Sequence, residues 1–109
     1  MADPAPEIQI ALTAVGDADA ARRIAHALVE ERLAACVNVV PGVESVYRWQ
    51  GAVESAAEHL LVIKTTAAAW PRVVARLETL HPYALPELVA LAPGAVSAAY
   101  ARWVGECVE

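Results

Sequence analysis

The sequence predicts a small α+β domain that runs strand, helix, strand, strand, helix, strand, and adds one helix at its C-terminal end. Three observations predict this order. Apolar residues alternate with polar ones at the start of the chain and form an unbroken run at Leu60-Leu61-Val62-Ile63, which marks strands. Two later stretches carry apolar residues at helical spacing. Between the helices, Gln50-Gly51 reads as a tight hairpin tip joining two long β segments.

In chain order, residues 1–6 (MADPAP) read as a loose, proline-punctuated leader. Glu7 to Thr13 alternates cleanly, with Ile8, Ile10 and Leu12 on one face, as a half-buried strand does. Gly16-Asp17 ends it, and Asp17 is a good N-cap for a helix over 18–33. There Ala21, Ile24, Ala25 and Leu28 make the buried stripe, while Arg22, Arg23, His26 and Glu30 face away.

A long β region follows, from Ala35 to Val40 and from Val43 to Gln50. Pro41-Gly42 between them is either a turn or a bulge that kinks one long strand. The return strand runs from about Ala52 to Thr65. Pro71 sits at the first turn of a second helix carrying Trp70, Val73, Val74, Leu77 and Leu80, and His81-Pro82 stops it. Pro86 to Leu91 is the last strand. Ser97 caps a short helix bearing Tyr100, Trp103 and Val104. The sum is a ferredoxin-like βαββαβ sandwich with an extra C-terminal helix and a long kinked hairpin between the second and third strands.

Composition narrows function. The formal net charge is −5, with no cluster of Lys or Arg, which argues against a nucleic-acid surface. No apolar stretch reaches the length of a membrane span, and no signal segment opens the chain, so the expectation is a soluble cytoplasmic protein. Hydrophobic residues make up 58% of the chain, above the roughly 45–50% usual for such domains. A thin two-layer monomer cannot bury so much, and self-association is the expected outlet. Cys36 and Cys107 match neither a zinc pattern nor a Cys-x-x-Cys motif and read as free thiols.

Catalytic signatures are few. There is no phosphate loop and no nucleophile elbow. A phosphate-binding turn after the first strand would meet Asp17 and Asp19, which repel anions, so a hydrolase of the acylphosphatase kind is the weakest reading. The expectation is a non-catalytic oligomer.

Three clusters stand out. Cys36, in Ala35-Cys36-Val37-Asn38, reads as a soft-metal ligand or as a small buried hydrophobe. Tyr47 and Trp49, near the hairpin tip, need cover, and subunit packing supplies it better than a ligand. His81, fixed by Pro82 in His81-Pro82-Tyr83-Ala84-Leu85-Pro86, offers an imidazole in a set place or satisfies a backbone carbonyl. Lys64-Thr65-Thr66 is a further candidate for that neighbourhood. His26 reads as solvated, and His59 as a structural or surface residue rather than a ligand.

Taken together, five pieces resemble the CutA divalent-cation tolerance proteins: Glu31-Arg32-Leu33-Ala34-Ala35-Cys36-Val37-Asn38, Ser45 to Gly51, Ile63-Lys64-Thr65, His81-Pro82-Tyr83, and Tyr100 with Trp103. The resemblance covers about Ile8 to Trp103 and implies a single CutA-type domain over 1–109. It implies a homotrimer in which the long strands pair between subunits, and a link to divalent metals, copper above all. Cys36 and His81 match positions associated with metal. Tyr47, Trp49, Lys64, Tyr83, Tyr100 and Trp103 match residues that line or support the cleft between subunits. No obligatory cofactor is implied, and copper(II) or another divalent cation is the expected ligand. The family usually carries an acid after His-Pro-Tyr; here Ala84 stands in its place. A trimeric signalling protein of the PII type, with a small ligand or protein in the cleft, is the alternative.

Overall fold

A computed structural model describes residues 5–109. The elements are β1 (Ile8–Val15), α1 (Ala18–Glu30), β2 (Cys36–Trp49), β3 (Ala52–Thr66), α2 (Trp70–Leu80), β4 (Val89–Leu91) and α3 (Ala98–Cys107). The sheet is antiparallel throughout, in the order β2-β3-β1-β4. The expected ferredoxin-like order is therefore the one observed. Of the expected leader, residues 1–4 lie outside the described residues. Pro6 is packed, not loose: its side chain lies so close to Gly105 of α3 that a Cβ there would come within 2.7 Å of it.

β1 carries the expected alternation, but the deeper face is the other one. Ala11, Thr13 and Val15 are almost fully buried, and Ala11 and Val15 pack with Ala20, Ala21, Ile24 and Leu28 of α1. Small side chains let the helix approach the sheet closely. Ile10 and Leu12 point to the opposite face and remain only half-buried. α2 adds Val73 and Leu77 to the helical layer.

α1 starts as expected, with the Asp17 carboxylate accepting from the N–H groups of Asp19 and Ala20 at 3.2 and 3.3 Å. It ends three residues early. Arg32 takes a left-handed conformation (φ 60°), its N–H reaches Val29 O, and Leu33 N–H reaches Leu28 O. This is a Schellman ending, with the buried Leu33 folding back toward Leu28. The Arg32 guanidinium then donates to the carbonyls of Glu106 and Cys107, fastening α3 to this turn.

Pro41-Gly42 is a bulge. β2 is one strand, and its partners step from Leu60 at Val40 to Glu58 at Val43, so three steps on β2 match two on β3. Gly42 supplies the positive φ of 75°. The extra residue keeps the faces aligned: Cys36, Asn38 and Val40 before the bulge share a face with Val43, Tyr47 and Trp49 after it.

β1 ends opposite His59, so β2 and β3 from Val43 to Glu58 project beyond the sheet as a two-stranded ribbon closed at Gln50-Gly51, both with positive φ. The radius of gyration is 14.9 Å, against about 13 Å for a compact chain of this length, and the long axis is 56 Å. The last strand is shorter than expected, Val89–Leu91 rather than 86–91, and pairs with only Ile10 to Leu12.

Candidate functional site

Two polar clusters lie on the sheet face away from α1 and α2. The first forms where the ribbon leaves the sheet. His81 follows the last turn of α2, where Pro82 prevents the helix from continuing. It is buried, and its Nε2 lies 3.0 Å from Ala14 O, on the part of β1 that the short β4 does not cover. Its Nδ1 accepts the Tyr83 N–H at 3.1 Å. These partners set the tautomer: Nε2 carries the proton, and Nδ1 is the acceptor. Burial lowers the pKa of His81 against smaller opposing effects of the Ala14 carbonyl and Glu58, so the ring is held neutral.

The Tyr83 ring meets His81 edge-on, with centroids 4.8 Å apart. Its hydroxyl donates to Glu58 Oε2 at 2.7 Å. Glu58 is a carboxylate in mid-strand, only 8% exposed. Desolvation first, then the Glu58 bond and charge, push the Tyr83 pKa up to about 12. Gly16 makes this possible, since a Cβ there would press to 3.2 Å from the Tyr83 hydroxyl.

The second cluster lies at the other end of the same face. Cys36 and Lys64 are directly opposed partners on β2 and β3. Lys64 Nζ lies 4.0 Å from Cys36 Sγ and donates to Asn38 Oδ1. Both cysteines are free and half-buried. Across from Cys36, Tyr100 and Trp103 of α3 sit with ring centroids 5.5 Å apart, each about 40% exposed. Burial raises the Tyr100 pKa, and the nearby Cys36 adds to the shift.

The sequence candidates thus fall into two groups. Tyr83 joins His81; Lys64, Tyr100 and Trp103 join Cys36. Lys64 faces Cys36 and not the His81 loop. Cys36 and His81 do not meet in one chain. The row of Cys36 crosses β1 at Ile10, and His81 binds at Ala14, four residues or about 13 Å along the strand. Among the described residues, no three His, Cys, Asp or Glu side chains lie close enough to hold a metal. Both ring nitrogens of His81 are already engaged, and an ammonium stands beside the Cys36 sulfur. A single chain therefore does not fit a tight cation site.

Tyr47 and Trp49 lie on the ribbon, 41% and 42% exposed. His26 is solvated, 3.9 Å from Glu30. His59 has a buried Nδ1 without a partner among the described residues. Sequence reasoning missed Glu58, Gly16 and Asn38 as site residues. The phase of β3 held the signal for Glu58, which shares the face of Leu60 and Val62. Among the described residues, no helix is long and apolar enough to cross a membrane.

Fold, ribbon and clusters together define a ferredoxin-like protein with one helix-covered face and one largely bare face. The CutA1 divalent ion tolerance protein family matches residues 9–107. The divalent-cation tolerance protein CutA of Thermus thermophilus is 50% identical over 98 residues, covering 90% of this chain and 95% of that one. The chloroplastic protein CutA of Arabidopsis thaliana is 40% identical over 91% of this chain, which spans 54% of that longer relative. Among solved structures, the divalent cation tolerance protein of Thermus thermophilus superposes with a TM-score of 0.91 at 48% identity, covering 94% of this chain and 99% of that one. CutA1 from Oryza sativa gives 0.92 at 34%, covering 97% and 98%. The chain belongs to the CutA1 divalent ion tolerance family.

Proposed function

We propose that this protein is a cytoplasmic homotrimer that binds or responds to divalent cations such as copper, and that the assembly, not the single subunit, is the responsive unit. The carrying observation is apolar surface that the chain cannot cover itself. On the bare face, Ile10, Leu12, Leu60 and Val62 are half-buried, and Val89 and Leu91 are 43% and 50% exposed. Beyond the sheet, the ribbon carries Val46, Tyr47, Trp49 and Val53, with no neighbouring strand on either edge among the described residues. An isolated two-stranded ribbon is marginal in water. Further copies of the same chain satisfy both needs, and the trimeric pattern implied by the resemblance supports that number. The net charge of −5 favours cations over anions near the surface.

Cys36 and His81 are the proposed ligands. Because they stand apart in one chain, a shared ion would draw them from different subunits, and His81 would have to release Tyr83 or Ala14. Light scattering at micromolar concentration is expected to give the trimer mass; a monomer would sink the assembly. Calorimetric titration of the metal-free protein with copper(II) is expected to show stoichiometric binding that His81→Ala or Cys36→Ala removes. Binding that is absent, or unchanged in both variants, would leave the second reading: a PII-like cleft for a small ligand. The Glu58–Tyr83 pair beside the ribbon favours that reading, because it puts a carboxylate and a hydroxyl where two subunits would meet.

A further inference from the structure

We infer that Cys36 and Lys64 form an oxidation-driven sulfur–nitrogen cross-link, a reversible covalent bridge between β2 and β3. This inference is independent of the oligomeric reading, since both residues belong to one chain. Three observations carry it. Cys36 and Lys64 are directly opposed in the antiparallel ladder, a geometry that places Cβ atoms about 4.5–5.5 Å apart. The amine nitrogen is already 4.0 Å from the sulfur. Asn38, two residues along β2 on the same face, accepts a hydrogen bond from Lys64 and holds the amine over this end of the strand. The thiol is free and half-buried, and Cys107 does not claim it as a disulfide partner. A thiol so placed has a nitrogen nucleophile held beside it by the sheet, with the flexible lysine stem to close the remaining gap.

The oxidant is a hydroperoxide. The Cys36 thiolate attacks the peroxide oxygen, so an S–O bond forms and the O–O bond breaks. Sulfur loses two electrons, and the hydroperoxide is reduced to water or an alcohol. The result is a sulfenic acid, the first and reversible oxidation step of cysteine. The Lys64 amine, after releasing its ammonium proton to solvent, attacks that sulfur. An S–N bond forms, the S–O bond breaks, and the hydroxyl leaves as water with a proton from the amine. The net change is thiol plus amine plus hydroperoxide to sulfenamide plus water plus the reduced peroxide. A thiol reductant reverses it by attack at sulfur, returning thiol and amine.

The bridge consumes the sulfur that would otherwise meet a soft cation, together with the ammonium beside it. Closing it removes the thiol and neutralises the lysine in one event, so oxidation would remove the positive charge from this end of the sheet.

The test uses the intact protein, freed of metal with a chelator and treated with hydrogen peroxide in modest excess. Remaining thiols are then trapped with a maleimide under denaturing acid, and the protein is analysed by intact mass and tryptic mapping. The expected product is two hydrogens lighter than the untreated chain. It leaves position 36 unlabelled, resists trypsin after Lys64 and returns to the starting mass with dithiothreitol. Cys107→Ala is expected to form it equally well, which excludes an internal disulfide. Lys64→Arg keeps the charge and the bond to Asn38 but is a poor nucleophile; it is expected to lose the bridge and accumulate oxygen-bearing sulfur acids at Cys36. The inference is overturned if trypsin still cuts after Lys64 in the oxidised protein. It is equally overturned if Lys64→Arg gives the same product as the parent, or if the bridge retains an oxygen atom.

Discussion

Tyr83→Phe removes one oxygen from the interior of the first cluster and leaves the Glu58 carboxylate without the side-chain donor it has among the described residues. The bond is short at 2.7 Å, and its acceptor is 8% exposed. A hydrogen bond to a charged group contributes roughly 1.5–3 kcal/mol. Tyr83 itself is 39% exposed, so water can partly replace the lost donor, and the expected cost is about 1–2 kcal/mol. Glu58→Gln keeps an acceptor oxygen but drops the charge. A double-mutant cycle between the two should show a coupling of about 1 kcal/mol. The assay is urea unfolding at one fixed protein concentration, because the proposed assembly would tie apparent stability to concentration. Tyrosinate absorbance gives an independent readout. Tyr83 titrates at about 12 in the folded protein, so its contribution is complete below about pH 10 and disappears as pH rises through 12. In Glu58→Gln that titration should move back toward 10. A coupling under about 0.3 kcal/mol, with the tyrosine titration unmoved by Glu58→Gln, would refute the reasoning.

Burial depresses the His81 pKa, so the native state favours the neutral ring. Its contribution is full above the unfolded value of about 6.5 and falls as pH drops below it, and His81→Gln should flatten that slope in urea midpoints measured between pH 7 and 5. At Arg32, with φ 60°, Arg32→Gly should be about 1 kcal/mol more stable than Arg32→Ala, since both lose the bonds to α3 but only glycine escapes the left-handed penalty. The comparison is made by thermal or urea unfolding, and equal stabilities would remove the Schellman account. Deleting Pro41 removes the extra residue of the bulge and makes the ladder regular with Val43 still opposite Glu58, so Tyr47 and Trp49 keep their face but the kink that aims the ribbon is lost. Circular dichroism should remain native-like while light scattering shows loss of the assembly.

Much of the fold is legible because its signals are local. Asp17 and Ser97 cap their helices as the sequence predicts, Pro71 sits in the first turn of α2, and Gln50-Gly51 turns the ribbon. The departures arise where local pattern meets tertiary demand. The spacing of α1 carries on to Leu33, yet Leu33 is buried by folding back after a left-handed Arg32, a conformation that residue does not advertise. β1 alternates, but the large Ile10 and Leu12 face outward and the small Ala11 faces the helices. Size, not hydrophobicity alone, decides which face a helix can approach. The sites are less legible still, because each is built across the ladder. Glu58 and Tyr83 lie 25 residues apart, and Cys36 and Lys64 lie 28 apart.

The bulge is where these two levels join. A strand read from sequence has two faces, and one inserted residue exchanges them. Without the shift between Val40 and Val43, the even-numbered face that carries Cys36 and Asn38 would continue through Glu44, Val46 and Arg48. With it, that face continues through Val43, Tyr47 and Trp49, so the bare apolar face of the sheet and the aromatic side of the ribbon form one continuous surface. Glu58 lies opposite Val43, at the first pair beyond the bulge, and Tyr83 reaches it from the His81 loop. The kink at Pro41-Gly42 therefore brings the ribbon's exposed aromatics, the buried carboxylate and the uncovered sheet onto one side of the molecule. That is why the exposed apolar surface and the polar cluster around Glu58 are neighbours in this fold.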